Sequence, residues 1–207
     1  MSSTPRTLLS MSGADTTPNR LNESALVLID CQNEYVTGAL PLHRVADALD
    51  EIAILLKAAR AVGAPILHVV HKGSSGSLFD LDGEGGAIAT QAAPLAGEPV
   101  IAKTLPNAFT APEFVETLRA CGRRRLIVAG FQTHMCVSAT VRASLDQGFW
   151  STVVASACAT RDLPSVMGGI MPATVQHVAT LTALSDRFAA IASTSAEVLP
   201  LGRAAAE

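Results

Sequence analysis

Charge is scarce in this chain. Only 16% of its 207 residues are Asp, Glu, Lys or Arg, and 15 basic against 18 acidic residues leave a net charge of −3. That composition offers no basic face for nucleic acid or anionic lipid, so neither is expected as a partner. No apolar run approaches the roughly 20 residues needed to cross a bilayer. Cysteine is limited to Cys31, Cys121, Cys136 and Cys158, and none of them forms Cys-x-x-Cys, which excludes a zinc ribbon and a thioredoxin-type site. Phosphate-binding glycine motifs are missing too. The segment after Ile29 reads DCQNEYVTG, and GSSGSLF at 73–79 lacks the lysine of a P-loop. No internal repeat is visible.

What is present is apolar. Hydrophobic types make up 49% of the chain, enough for a sizeable core, and the length fits one domain. So little charge also predicts a homodimer or higher homo-oligomer, because a monomer surface would be thinly coated. Four cysteines in a chain that needs no staples read as free thiols in a reducing compartment, hence cytoplasmic. The opening residues, MSSTPRTLLSMSGADTTPNRLNES, carry too short an apolar patch for a signal peptide. Residues 1–23 read as a flexible tail, or as an arm that orders against a partner subunit, and residues 201–207 as a C-terminal tail.

Between them, over residues 24–200, strand and helix alternate. Ala25–Ile29, Ile66–Val70, Pro99–Ala102, Arg125–Ala129, Thr152–Ala155 and Phe188–Ala192 are short apolar runs of the kind buried on both faces of a sheet. Helical spacing joins them over Arg44–Val62, Pro112–Gly122, Cys136–Gln147 and residues 171–187, with Gly63, Gly122 and Gly148 as stops. No hairpin signal separates the strands. The pattern predicts one doubly wound α/β domain with a six-stranded parallel sheet and helices on both faces. The glycine-rich stretch 72–97 reads as a long excursion above the sheet, a lid candidate.

Ligands in such sheets bind beyond the carboxyl ends of the strands. Asp30 follows the first strand, Lys103 the third, and Cys136 the fourth, at the start of a helix. An acid, a base and a thiol on one edge are what thiol chemistry requires. The thiolate is the nucleophile, a carboxylate can take its proton, and an ammonium offsets the negative charge the other two would share. The stretch Gly130–Cys136 brings several backbone N–H groups toward the helix start, a cradle for a developing oxyanion.

Three segments carry a resemblance: ALVLIDCQNEY, VIAKTLPNAF and IVAGFQTHMCVSAT. In this order, the chain resembles the isochorismatase-like cysteine hydrolase superfamily, which includes nicotinamidase and N-carbamoylsarcosine amidohydrolase, over residues 24–195. The resemblance implies that Cys136 attacks a carbonyl, that Asp30 moves the proton, and that Lys103 holds both electrostatically. It also implies a cis peptide at Phe131–Gln132 and an oxyanion site made by the N–H groups of Gln132 and Cys136. Tyr35, Asn107, Phe109 and His134 flank these segments and are pocket candidates.

The Asp-x-His pair through which nicotinamidases hold a metal has no counterpart here. Asp47 is followed by Leu49 and Asp50 by Ile52, and His43, His68 and His71 do not supply the pair. No metal and no cofactor are therefore expected. His68 and His71, three apart, should face opposite sides of a strand, and Cys31 should point away from Asp30. The reading is a cysteine-dependent hydrolase of a small amide, imide or lactam, acting through a thioester. An isochorismatase-type vinyl-ether hydrolase and a non-catalytic interaction protein on the same fold stay open as alternatives.

Overall fold

The computed structural model describes residues 4–200. Its strands are β1 (Ser24–Ile29), β2 (Ile66–His71), β3 (Val100–Lys103), β4 (Arg125–Phe131), β5 (Trp150–Ala159), β6 (Leu163–Pro164), β7 (Ile170–Met171) and β8 (Ala189–Ala192). The helices are α1 (Leu8–Met11), α2 (Val45–Ala61), α3 (Pro112–Ala120), α4 (Ser138–Asp146) and α5 (Ala173–Arg187). Six strands form one parallel sheet in the order β3-β2-β1-β4-β5-β8, as the alternation predicts. Connections out of β1 run one way and those out of β4 the other, so the switch point lies between these two neighbours.

Each sheet face buries a different set of side chains. On one, Leu26, Leu28, Ile127 and Ala129 meet Leu49, Ile52, Leu55 and Leu56 of α2, which recur at helical spacing. On the other, Val27, Ile29, Leu126 and Val128 meet Phe114 and Leu118 of α3, Val141 of α4 and Leu184 of α5. Full burial of each such side chain contributes ~2 kcal/mol. Cys31 belongs to the first layer and Cys136 to the second, so the two thiols lie on opposite faces.

Several elements differ from the sequence reading. β5 runs on to Ala159, well past Ala155, with an irregular register between Val128 and Gly130 of β4. Its second half, Ser156–Ala159, is built of small residues that carry no strand signature. β6 and β7 form a two-residue antiparallel ladder closed by Gly168 and Gly169 at positive φ, too short for any periodicity. Phe188 caps α5 rather than opening β8.

Nor is the amino-terminal segment a free tail where it is described. Leu9 is buried, Leu8 N–H donates to Asp186 Oδ1 at 2.8 Å, and the buried Asn19 bonds Thr152, Leu126 and Trp150. A few apolar and amide contacts spread over twenty residues give no periodic pattern, yet they lay residues 4–23 on their own domain. The remainder of the expected tails, 1–3 and 201–207, lies outside the described residues.

The excursion 72–97 is likewise packed down. Phe79, Ala89 and Ala92 are buried in the α2 layer, and the backbone of residues 31–34 bonds Gly85, Ala87 and Ala89. At its end Glu98 accepts from Arg60 (2.8 and 2.9 Å) and Leu95 N–H (2.9 Å) and lies 3.0 Å from His68 Nε2. The Arg60 guanidinium holds the Glu98 carboxyl down at about 2, from an ordinary 4.5. A depressed carboxylate adds stability that is complete above the unfolded value and lost as pH falls through the folded one. Glu98→Gln should therefore cost about 2 kcal/mol at pH 7, less than a sealed pair because Arg60 is partly exposed. In urea melts the gap between the two proteins should close between pH 4.5 and 2.

Candidate active site

β1 and β4 lie so close at the switch point that only a glycine fits in β4. Gly130 has φ +116, and a Cβ there would fall 2.1 Å from the carbonyl oxygen of Ile29. The next residue of the β1 segment, Asp30, is itself left-handed, φ 50, a conformation aspartate tolerates better than most residues. Its N–H donates to Val69 O and its carbonyl accepts from Gln32 N–H, both at 2.8 Å, which fixes the turn against β2.

The side chains of Asp30 and Lys103 are both fully sealed. Lys103, the last residue of β3, reaches past β2 and places Nζ 2.7 Å from Asp30 Oδ2. The other carboxylate oxygen, Oδ1, is buried without a hydrogen-bond partner. Cys136, 3% exposed, sits against this pair, near enough that both act on its ionisation through charge and hydrogen bonding. Residues 30, 103 and 136 thus converge.

Burial raises the Asp30 carboxyl above the ordinary 3.8, with Lys103 opposing. Burial also pushes the Cys136 thiol up to about 12, helped by the Asp30 charge and resisted by Lys103. Burial thus favours the protonated thiol at Cys136, beside the Asp30–Lys103 pair.

Cys136 does not open a helix as the spacing predicts. It is the fourth residue of a five-residue π turn, Thr133–Val137, that precedes α4. Single π turns are frequent at functional sites. The Phe131–Gln132 peptide bond ahead of it is cis. Two side-chain bonds fasten the turn: Thr133 Oγ1 to His177 Nδ1 at 2.9 Å, and His134 Nδ1 to Thr160 Oγ1 at 2.6 Å.

Of the four pocket candidates, Tyr35 lies where the Asp30 and Cys136 charges reach it, and His134 sits in the π turn with its ring on Thr160. The Tyr35 ring packs between Phe79 and Phe131, at 5.0 and 6.1 Å, with the Gln132 side chain near its hydroxyl. Phe109 packs instead on Phe114 and Phe149, at 5.0 and 6.0 Å, and Asn107 caps the short turn before it. His68 turns to Glu98, while His71 comes beside Asp30 and Lys103, so the pair does diverge.

Gln32 is a site residue that sequence reasoning missed. Fully buried, it donates to His71 O and Gly86 O at 2.9 Å and accepts from His71 N–H at 2.8 Å. It ties β1, β2 and the excursion together beside Asp30. A glutamine next to a strand end announces none of this, because its partners are backbone groups 39 and 54 residues away.

Two clefts open elsewhere. One, of about 530 Å³, lies between α2, β5 and α5 and is lined by Glu51, Ser156, Cys158 and His177 among others. The second, of about 590 Å³, lies near Arg60, Glu98 and Cys121. The triad lines neither. All four cysteines are unpaired, and among the described residues no helix is long and apolar enough to cross a membrane.

These groups stand on the carboxyl edge of a doubly wound α/β sheet, beside its switch point. The Isochorismatase domain model matches residues 24–196, and the chain belongs to the isochorismatase family of hydrolases. An isochorismatase structure from Pseudomonas putida KT2440 is 41% identical, covers 95% of this chain and 100% of its own, and superposes with a TM-score of 0.90. The uncharacterised isochorismatase family protein YddQ of Bacillus subtilis is 36% identical over 84% of this chain and 97% of its own. The secreted isochorismatase effector Isc1 of Verticillium dahliae is 35% identical over 76% and 83%, respectively. Maleamate amidohydrolase of Pseudomonas putida is 30% identical over 63% and 69%. Family members thus include amide hydrolases.

Proposed function

We propose that this protein hydrolyses the C–N bond of a small amide, imide or lactam through a thioester on Cys136. The observation that carries the reading is the unpartnered Oδ1 of Asp30, buried against a neutral thiol while its sister oxygen is held by Lys103. That oxygen is a proton acceptor with nothing else to accept. As the sulfur bonds to the carbonyl carbon, its proton passes to Asp30 and the carbonyl oxygen takes the negative charge, facing the N–H groups of Gln132 and Cys136. Collapse breaks the C–N bond, and Asp30 returns the proton to the leaving nitrogen. Water then attacks the thioester and gives a proton to Asp30; as the C–S bond breaks, Asp30 returns that proton to the sulfur and the free thiol and the acid product result. Lys103, 2.7 Å from Oδ2, opposes the effect of burial on the Asp30 carboxyl.

The direct test is a panel of amides, carbamoyl compounds and lactams, with isochorismate included. Released ammonia or amine is measured, and intact mass follows an acyl group on the protein. A chain acylated at Cys136 supports the reading, and turnover of isochorismate without any acyl adduct overturns it.

Protonation supplies a second check. Because burial raises Asp30, the acid limb of kcat/KM should lie above the 3.8 of a free aspartate. Since Lys103 pulls in the opposite direction, Lys103→Met should move that limb to still higher pH. No tenfold-per-unit climb toward pH 12 should appear on the alkaline side, as it would if a preformed thiolate were the nucleophile.

Sparse charge and the exposed Val166, Met167, Ile170, Val175 and Val178 support a homo-oligomer. Four free thiols support a reducing, cytoplasmic setting.

A further inference from the structure

A histidine occupies an apolar place in α5. Ala173, His177, Leu181 and Leu184 recur at helical spacing, and the three apolar members are buried. Leu181 and Leu184 pack in the same layer as Cys136 and Val137. This face of the helix therefore carries the His177 ring to the π turn, where Nδ1 lies 2.9 Å from Thr133 Oγ1. Thr133 is wholly buried, and among the described residues its hydroxyl has no other partner. Burial lowers the His177 ring below the ordinary 6.5, which favours the neutral imidazole.

The next residue of the turn is gripped from a second element. Thr160, just past β5, places Oγ1 2.6 Å from His134 Nδ1. Two successive residues held from α5 and from the end of β5 resist both sliding and rotation of the turn. The turn's own ladder is thinner, with Gln132 O accepting from Met135 N–H at 3.0 Å and from Val137 N–H at 3.3 Å. Breaking a buried side-chain bond leaves both partners unsatisfied, so each grip is costly to release. His177 and Thr160, the outer ends of the two grips, both line the cleft of about 530 Å³.

We propose that His177 is a positioning residue: through Thr133 it locks the π turn and keeps the Cys136 sulfur covered beside Asp30 and Lys103. The use made of that sulfur rests on the hydrolytic reading, but the lock itself needs no substrate.

Alkylation by iodoacetamide near neutral pH, followed by peptide mass mapping, tests the lock directly. Cys31, 3% exposed like Cys136 but on the other sheet face, is the internal control. His177→Ala and Thr133→Val should each speed alkylation of Cys136 about tenfold and leave Cys31 unchanged, because only the turn is released. The double variant should be no faster than either single one, since both remove the same bond. His177→Asn should stay near wild type, its amide offering a neutral polar atom close to the place of Nδ1. Imidazole, entering from the cleft, should slow alkylation again in His177→Gly but not in Thr133→Val. On whichever amide the wild type cleaves, His177→Ala should lower kcat about 30-fold with KM within about threefold. An unaltered Cys136 in both single variants, equal acceleration at Cys31, additive effects in the double variant, or failure of both asparagine and imidazole to slow the reaction would each overturn the lock. Faster alkylation with an unchanged kcat would overturn the positioning role. If the alkylation pattern holds and the wild type cleaves no amide, the lock stands and the hydrolytic reading fails.

Discussion

Cys136→Ala is expected to lower turnover at least ~10⁴-fold on whichever amide the wild-type protein cleaves fastest. In the proposed mechanism the sulfur is the atom that bonds to substrate, and the other two buried thiols are turned elsewhere. Cys31 points to the other sheet face, and the buried Cys158 lies on β5, paired with Gly130 rather than with Asp30. Replacing either of these with alanine should leave the rate within a few-fold. Cys136→Ser is the more searching variant. A serine hydroxyl is a far weaker acid than even a thiol pushed up to about 12, so Asp30 should be too feeble a base for it. Stability should move little, because losing one sulfur from a small buried side chain costs on the order of 1 kcal/mol. Single-turnover measurements beside a thermal melt separate the two effects. A rate within tenfold of wild type for Cys136→Ala would remove the sulfur from the mechanism.

Gly130→Ala is expected to cost more than 3 kcal/mol and to abolish activity. The new methyl would stand 2.1 Å from the carbonyl oxygen and 2.7 Å from the amide nitrogen of Ile29, at a φ of +116 that L residues avoid. Both clashing atoms are backbone, so relief requires β1 and β4 to part at the point where Asp30 and the π turn emerge. Gly148→Ala is the control. Its φ is +79, but the nearest atom to an added Cβ is the Arg124 guanidinium at 3.8 Å, so only about 1 kcal/mol should be lost. Urea denaturation of the two variants measures the difference directly.

The six sheet strands were legible because each is a short, almost purely apolar run buried on both faces, and the switch-point rule then led from strand ends to Asp30, Lys103 and Cys136. Contacts between such ends follow from topology alone. What stayed hidden depends on other physics. The second half of β5 is made of Ser, Ala and Cys, which mark no strand. The π turn differs from an α-helix by one residue per turn, below what apolar spacing resolves. Gln32 and the docked amino-terminal segment act through backbone partners remote in sequence.

The Cys136 thiol is almost wholly covered and its burial favours the protonated form, which bears on how the protein ages. Peroxide attacks thiolates, and the path from sulfenic to sulfinic acid begins there. A sulfur that releases its proton only to a neighbouring carboxylate, and only as a carbonyl arrives, gives oxidants little to act on between turnovers. On the proposed mechanism, and unlike enzymes that rest as a cysteine anion, the protein keeps its reactive atom in an inert form until there is work for it.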